Sequence, residues 1–274
     1  MTRCFLWFVL LFCESAYGIG KSHVDTVIIV SNTKVELHFT NEKIVGVILV
    51  LPGWNFSQDD ICIKSDFCKR AKDAGYIIIM PDMKKSVYQR YIYPETRIDW
   101  QKYHTLLWIT DTLIPKMRKD YDLLQPGKRN FLFGISTGAR GVALLSYNTK
   151  NIFKAGAALS GDYNQELMTD DNLMKGYYGT IKEFPSRWNG EDNPVKNVSN
   201  ITIPLFLAHG MQDKVVPCIQ TQLFFNKLHE SNKLLGNKLV MKEGAGHDYV
   251  RVTPTAGRST VELQPISTLS SKIT

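Results

Sequence analysis

A set of short aliphatic runs that do not alternate limits the fold most. Residues 45–51 read VGVILVL, residues 76–80 YIIIM, residues 130–133 NFLF, residues 155–159 AGAAL and residues 204–208 PLFLA. A strand with one wet face alternates apolar and polar side chains. A run that is apolar at nearly every position suits a strand covered on both faces, as in a parallel sheet. Parallel neighbours need crossovers, and the segments between the runs supply them. Residues 66–75 (DFCKRAKDAG) carry a helical pattern closed by Gly75. Residues 99–124 form the longest helical stretch, with Tyr103, Leu106, Leu107, Leu113, Ile114, Met117 and Tyr121 on one face. Pro115 predicts a kink there. Residues 139–147 and 218–235 read as further helices, and residues 238–242 (KLVMK) as the last strand. Residues 26–30 (TVIIV) and 34–39 (KVELHF) read as an early hairpin turning at Ser31-Asn32-Thr33. The expectation is an α/β fold with a mostly parallel central sheet and helices on both faces. Residues 163–200 are polar and aromatic with little period, too long for an ordinary connection, and are expected to cover a site.

The 274 residues are 44% hydrophobic and 22% charged, which excludes a disordered chain. The formal charge is +7, but its sources (Lys69-Arg70, Lys84-Lys85, Arg118-Lys119) are scattered among acids. No basic block interleaves with aromatics, so no nucleic-acid partner is expected. The N-terminus reads as an export signal. Arg3 precedes an apolar stretch at residues 5–12 (FLWFVLLF), and Ala16 and Gly18 supply the small residues a signal peptidase needs. The stretch is short for a hydrocarbon core of ~30 Å, so no stable membrane span is expected once it is removed. The reading is a signal peptide at 1–18, one domain at 19–274 and a secreted or periplasmic protein. Cys4 and Cys13 leave with the signal. Cys62 and Cys68, with five residues between them, are placed for a local disulfide in an oxidising compartment, leaving Cys218 free. Neither CxxC nor HExxH occurs, so no metal site is signalled.

Gly134-Ile135-Ser136-Thr137-Gly138 follows the NFLF strand and opens a helix. A nucleophile on so sharp a strand-to-helix turn needs strained backbone angles, and flanking glycines let strand and helix approach without Cβ clashes. A serine hydroxyl is a poor nucleophile without a base. His247 follows the last strand in GAGHD, and Asp213 follows the preceding strand in HGMQD. The order Ser136, Asp213, His247 is that of the hydrolases built on this turn. His247 is the candidate base and Asp213 the candidate acid that holds its tautomer.

With these residues the chain resembles α/β-hydrolases of the broad esterase group that includes esterase D, feruloyl esterases and bacterial mycolyltransferases. The resemblance runs from NFLFGISTGARGVALLSYN through the Ser160-Gly161 that closes the next strand. It continues in Tyr178-Gly179, Trp188, Asn193-Pro194 and IPLFLAHGMQDKVVP. The HG-x-x-D-x-x-VP form is equally similar to dienelactone hydrolases and prolyl-oligopeptidase-type catalytic domains. The resemblance covers roughly residues 40–250 and implies an oxyanion hole of backbone N–H groups. Many members have His-Gly after the third strand; here Pro52-Gly53 stands in that place. By position the donors are the N–H groups of Trp54 and Thr137, with Asn55 as the alternative to Trp54.

Other residues compete for roles. Asp162, after an earlier strand, rivals Asp213, and Glu243 and Asp248 are weaker rivals. His209 reads as a strand-end packing residue and His104 as structural. Arg140 reads as an exposed helix arginine, the alternative being a contact to an acidic substrate group. Trp54, Trp188 and Tyr163 either line a pocket or simply pack. Asn55, Asn197 and Asn200 each begin a glycosylation sequon; a glycan at Asn55 would crowd the oxyanion loop. The expected function is an exported serine hydrolase acting on a small-molecule or acyl ester through an acyl-enzyme, with no metal or cofactor. The alternatives are a peptidase or acyltransferase on the same three residues, or a non-catalytic exported binding protein on the same scaffold.

Overall fold

In the computed structural model, residues 25–248 are described. The expected signal peptide at 1–18, with Cys4 and Cys13, and the tail from Pro254 lie outside them. The strands are β1 (Thr26–Val30), β2 (Thr33–His38), β3 (Gly46–Leu51), β4 (Tyr76–Pro81), β5 (Asn130–Ile135), β6 (Ala155–Leu159), β7 (Leu205–Gly210) and β8 (Lys238–Lys242). They form one sheet in the order β1-β2-β4-β3-β5-β6-β7-β8. β1 and β2 pair antiparallel, as do β2 and β4, and every other neighbour is parallel. The hairpin turn is one residue shorter than expected. Ser31 and Asn32 both take positive φ (48° and 63°), and Thr33 already pairs with Val30. Two left-handed central residues match the twist of the flanking strands, which is why a two-residue turn suffices.

The non-alternating runs are explained by the layers on either side. Leu49, Leu51, Ile77 and Ile79 point into one cluster, against Ile114, Met117, Val142, Leu145, Phe224 and Leu228. Val50, Ile78, Met80, Phe133 and Ile135 point into the other, against Ile61 and Ala71. The first cluster is covered by α4 (Ile114–Tyr121), α5 (Thr137–Asn148) and α8 (Ile219–Ser231), the second by α1 (Asp60–Lys64) and α2 (Phe67–Asp73). Both faces of each central strand therefore leave water, and a polar side chain on it, such as Asn130 or His209, must find hydrogen-bond partners inside the protein.

Two helices differ from the sequence reading. The stretch expected from residue 99 becomes helical only at Leu106, where α3 (Leu106–Trp108) begins and the Leu106 N–H donates to the Gln89 carbonyl. Trp100 is withdrawn into a third cluster with Val87, Met174, Tyr177, Tyr178 and Trp188, stacked on Tyr177 at 5.0 Å. The predicted kink is a wider π-helical turn, Ile109–Leu113, just ahead of α4. It places Pro115 in the first turn of α4, where its missing N–H costs little. The last helix stops at Ser231 and is followed by a 3-10 turn, Lys233–Leu235.

Residues 163–200 hold α6 (Asn172–Tyr178), α7 (Pro185–Asn189) and 3-10 turns at Gln165–Leu167, Pro194–Lys196 and Val198–Asn200. Their tyrosines and Trp188 build the third cluster. Asn197 turns its amide inward, donating to the carbonyls of Gly190 and Asn193, whereas Asn200 is exposed. Among the described residues, no helix is long and apolar enough to cross a membrane. Nor does any group of three or more His, Cys, Asp or Glu suit a metal ion.

Cys62 in α1 and Cys68 in α2 are joined by a disulfide, and Cys218 is free. The bridge closes a loop with a sequence separation of 6. A loop that short restricts the unfolded chain by about 2 kcal/mol. Replacing both cysteines by serine is expected to lower unfolding free energy in denaturant by about that amount without reductant. With the wild type reduced beforehand the gap should close; a gap that persists would assign the loss to packing.

Candidate active site

Ser136 sits at the junction of β5 and α5 with φ 56° and ψ −122°, a conformation costing about 1–3 kcal/mol for a side chain other than glycine. Three backbone bonds hold it there. Its N–H donates 2.9 Å to the Leu159 carbonyl, and its own carbonyl accepts from Ala139 at 2.9 Å and Arg140 at 3.3 Å. The two flanking glycines are dictated by contact. A Cβ on Gly134 would stand 2.2 Å from the Gly138 carbonyl oxygen, and one on Gly138 would stand 2.0 Å from that of Leu51. The first glycine lets α5 fold back over β5; the second lets it touch the end of β3.

The candidate base arrives from two loops laced together beyond β7 and β8. The Met211 N–H donates to the Lys242 carbonyl and the Gln212 N–H to that of Ala245, each at 2.9 Å. A Cβ on Gly210 would lie 2.3 Å from the Gly246 carbonyl oxygen, so these loops also pack backbone on backbone. His247 thereby reaches Ser136, its Nε2 lying 3.1 Å from Oγ. Its Nδ1 lies 2.6 Å from Asp213 Oδ2. The carboxylate can only accept, so Nδ1 carries the proton and Nε2 is left to take the serine's. The other oxygen, Oδ1, accepts from the N–H groups of Val215 and Val216, both at 2.8 Å. Burial alone would raise the Asp213 pKa. Hydrogen bonds from His209, His247 and the Val216 backbone outweigh it and hold the carboxyl well below the usual range.

The loop after β3 is fixed from below. Tyr88, itself at φ 57°, donates from its hydroxyl to the Pro52 carbonyl at 2.8 Å. The Asn55 N–H donates to the Lys84 carbonyl at 2.8 Å, which commits it. Among the described residues, the Trp54 N–H makes no backbone hydrogen bond, and Thr137 opens α5, where an N–H lacks a helical acceptor. Gly53 lies so near that its added Cβ would be 3.2 Å from the Ser136 Cβ.

The rival assignments separate cleanly. Asp162 lies with Arg140 at 3.4 Å, and burial pushes it up to about 6 against the pull of that guanidinium. Neither Glu243 nor Asp248 holds Nδ1 of His247; Asp213 does. His104 stacks on Trp108 at 4.3 Å and bonds Thr33 Oγ1, a packing role. Arg140 is not the exposed arginine expected: it is 0% exposed, donating to the Tyr178 hydroxyl at 3.1 Å, to the Asp192 carbonyl and to Asp162. The rest of α5 is buried from Thr137 to Ser146, so a charge in this helix has no water to turn to and needs these partners. Tyr163 is core, stacked on Phe224 at 4.4 Å, and Trp188 is core, its indole donating to the Gly179 carbonyl at 3.1 Å. Trp54 remains partly open, edge-on to Trp100 at 5.6 Å. His209, read as packing, also contacts Asp213, with Nε2 3.1 Å from Oδ2.

The sequence over residues 117–263 matches the prolyl oligopeptidase family model, more than half of the chain. No curated protein matches in sequence. Solved structures share the fold. MPT51 (FbpC1) of Mycobacterium tuberculosis superposes with a TM-score of 0.67 at 12% identity, over 84% of this chain and 94% of that one. The substrate-bound fluorophosphonate-binding serine hydrolase F of Staphylococcus aureus gives 0.64 at 15%, over 83% and 93%. The acylaminoacyl peptidase of Pyrococcus horikoshii gives 0.59 at 14%, over 82% of this chain but 38% of the peptidase. This chain thus spans well under half of that enzyme.

The lowered pKa of Asp213 has a stability consequence. The folded carboxyl stays ionised further into acid than the unfolded one, whose pKa is ~3.9. Its contribution is fully present above that value and is lost as pH falls through the folded value. Asp213→Asn is therefore expected to cost unfolding free energy at neutral pH, and the gap to wild type should narrow as pH falls below about 4. Denaturant melts across that range check it; a gap that does not change with pH would mean Asp213 is not held ionised.

Proposed function

The chain belongs to the prolyl oligopeptidase family, within the α/β-hydrolase superfamily, and is a serine hydrolase; on that premise we propose that it cleaves carboxylic esters through an acyl-enzyme on Ser136. What supports this most is a single chain of contacts: Ser136 Oγ to His247 Nε2 at 3.1 Å, then His247 Nδ1 to Asp213 Oδ2 at 2.6 Å. Ser136 attacks the ester carbonyl while His247 takes its proton. Asp213 keeps the ring in the tautomer that can accept, and its charge stabilises the imidazolium that forms. The N–H groups of Trp54 and Thr137 receive the developing oxyanion, each worth roughly 10²–10³ in turnover. His247 then returns its proton to the departing alkoxide. In the second half it deprotonates a water that releases the acid and restores Ser136.

A peptidase reading on the same three residues draws support from the family match itself. The ester reading draws on the neighbours whose length this chain nearly fills, among them the S-formylglutathione hydrolase of Agrobacterium tumefaciens, of which it covers 83%. Ser136→Ala is expected to lower turnover of p-nitrophenyl acetate by at least ~1,000-fold and to abolish labelling by a fluorophosphonate, with thermal unfolding unchanged. An alanine variant that still turns over the ester would remove Ser136 from the mechanism. Turnover of a peptide p-nitroanilide in preference to the ester would replace the ester reading by the peptidase one.

Export to a secreted or periplasmic location belongs to the same proposal. It is supported by Arg3, the apolar residues 5–12 and the small pair Ala16 and Gly18, together with the disulfide on the domain. N-terminal sequencing of the protein recovered from a secreting host is expected to begin at Ile19. Recovery of the chain still carrying residues 1–18, inside the cell, would count against it.

A further inference from the structure

We infer that His209 is a positioning residue for the proposed reaction, a second histidine that clamps the Asp213 oxygen on which His247 turns. The inference rests on the assignment of Ser136, Asp213 and His247. The contact itself stands on geometry alone. His209 lies at the end of β7, is 0% exposed and uses both ring nitrogens. Its Nε2 is 3.0 Å from the Val216 carbonyl oxygen and 3.1 Å from Asp213 Oδ2. A carbonyl and a carboxylate can only accept, so Nε2 carries a proton and shares it between them. Its Nδ1 is 2.6 Å from Thr221 Oγ1 on α8. A threonine hydroxyl can donate as well as accept, so Oγ1 can donate to the Nδ1 lone pair and satisfy that nitrogen too. The ring is braced from three sides: its own strand, the 211–218 loop and α8.

The Asp213 carboxylate then has four donors. Oδ1 takes the N–H groups of Val215 and Val216, and Oδ2 takes His247 and His209. A carboxylate bound at one oxygen only is free to rotate about its χ2 bond. Here each oxygen is held twice and the plane of the group is fixed. That plane sets the direction in which the His247 Nδ1–H points, and through it the direction of Nε2 toward Ser136. The interaction does not touch the substrate, so removing it should slow the chemical step and leave substrate binding alone.

The test compares His209→Phe, which keeps the bulk and loses the donor, with His209→Gln, whose amide nitrogen reaches the place of Nε2 and offers two N–H groups. The phenylalanine variant is expected to lose roughly 10- to 100-fold in kcat on p-nitrophenyl acetate, the size of one hydrogen bond to a charged group, with KM within about twofold of wild type. The glutamine variant should recover most of that loss. By proton NMR, the low-field resonance of the hydrogen shared by His247 Nδ1 and Asp213 should weaken or move in the first variant and return in the second. Wild-type kcat in the phenylalanine variant overturns the inference. So does an equal loss in both variants accompanied by an equal drop in melting temperature, since that is packing. A wild-type protein that neither turns over ester nor labels at Ser136 overturns the catalytic reading and with it any role in turnover. The NMR comparison still decides in that case whether His209 holds the Asp213–His247 pair.

Discussion

The site depends on how closely two backbones approach. At Gly138 a Cβ would stand 2.0 Å from the Leu51 carbonyl oxygen, and at Gly134 one would stand 2.2 Å from the Gly138 carbonyl oxygen. These contacts draw the start of α5 against the ends of β3 and β5 together. Ser136, caught between them, has no ordinary conformation available and takes φ 56°. The strain is small against the burial that imposes it. Val142, Leu144 and Leu145 on the same helix are all buried, each worth about 1.5–3 kcal/mol. Packing of α5 thus sets the direction of the Ser136 hydroxyl, and it also brings the Thr137 N–H and the 52–54 loop to the same few ångströms.

Two carboxylates near this edge are buried with opposite outcomes. Asp213 has donors on both oxygens and is held in its charged form, well below the usual range. Asp162 has a single guanidinium at 3.4 Å, one oxygen with no hydrogen-bond partner among the described residues, and is pushed up to about 6. Burial penalises both; the count and geometry of donors decide the sign. The difference favours Asp213 for the role proposed for it beside His247. An acid that stabilises an imidazolium must itself stay ionised, and the Asp213 loop is built to keep it so.

Much of this was legible in the sequence, for reasons that can be located. The non-alternating runs marked the strands because burial on both faces makes nearly every position apolar. The three site residues each follow a strand, so a parallel sheet carries all of them to one edge. What escaped was decided by distant partners. Trp100 sits in an apparently helical period, but its ring finds Tyr177, which lies far along the chain, and the helix starts later. Arg140 looked like a surface residue because Asp162, Tyr178 and Asp192 are brought to it by β6 and the cover segment. His209 looked like filler because nothing local reveals that Thr221 on α8 will meet its Nδ1. In each case a partner far along the chain overrode what the local pattern indicated.

The same long-range contacts join the cover segment to the sheet edge that carries Ser136. Arg140 leaves α5 one turn after Ser136 and grips the Asp192 carbonyl and the Tyr178 hydroxyl. From the other side, Tyr177 stacks on Trp100, Trp100 meets Trp54 edge-on, and the Tyr177 hydroxyl bonds the Lys85 carbonyl. Trp54 belongs to the loop whose N–H is proposed to receive the oxyanion. A shift of α6 would therefore be felt at two places at once, the helix that carries Ser136 and the loop opposite it. The cover is held where it meets α5 and the 52–54 loop by a buried charge, Arg140, and by the stacked rings of Tyr177 and Trp100.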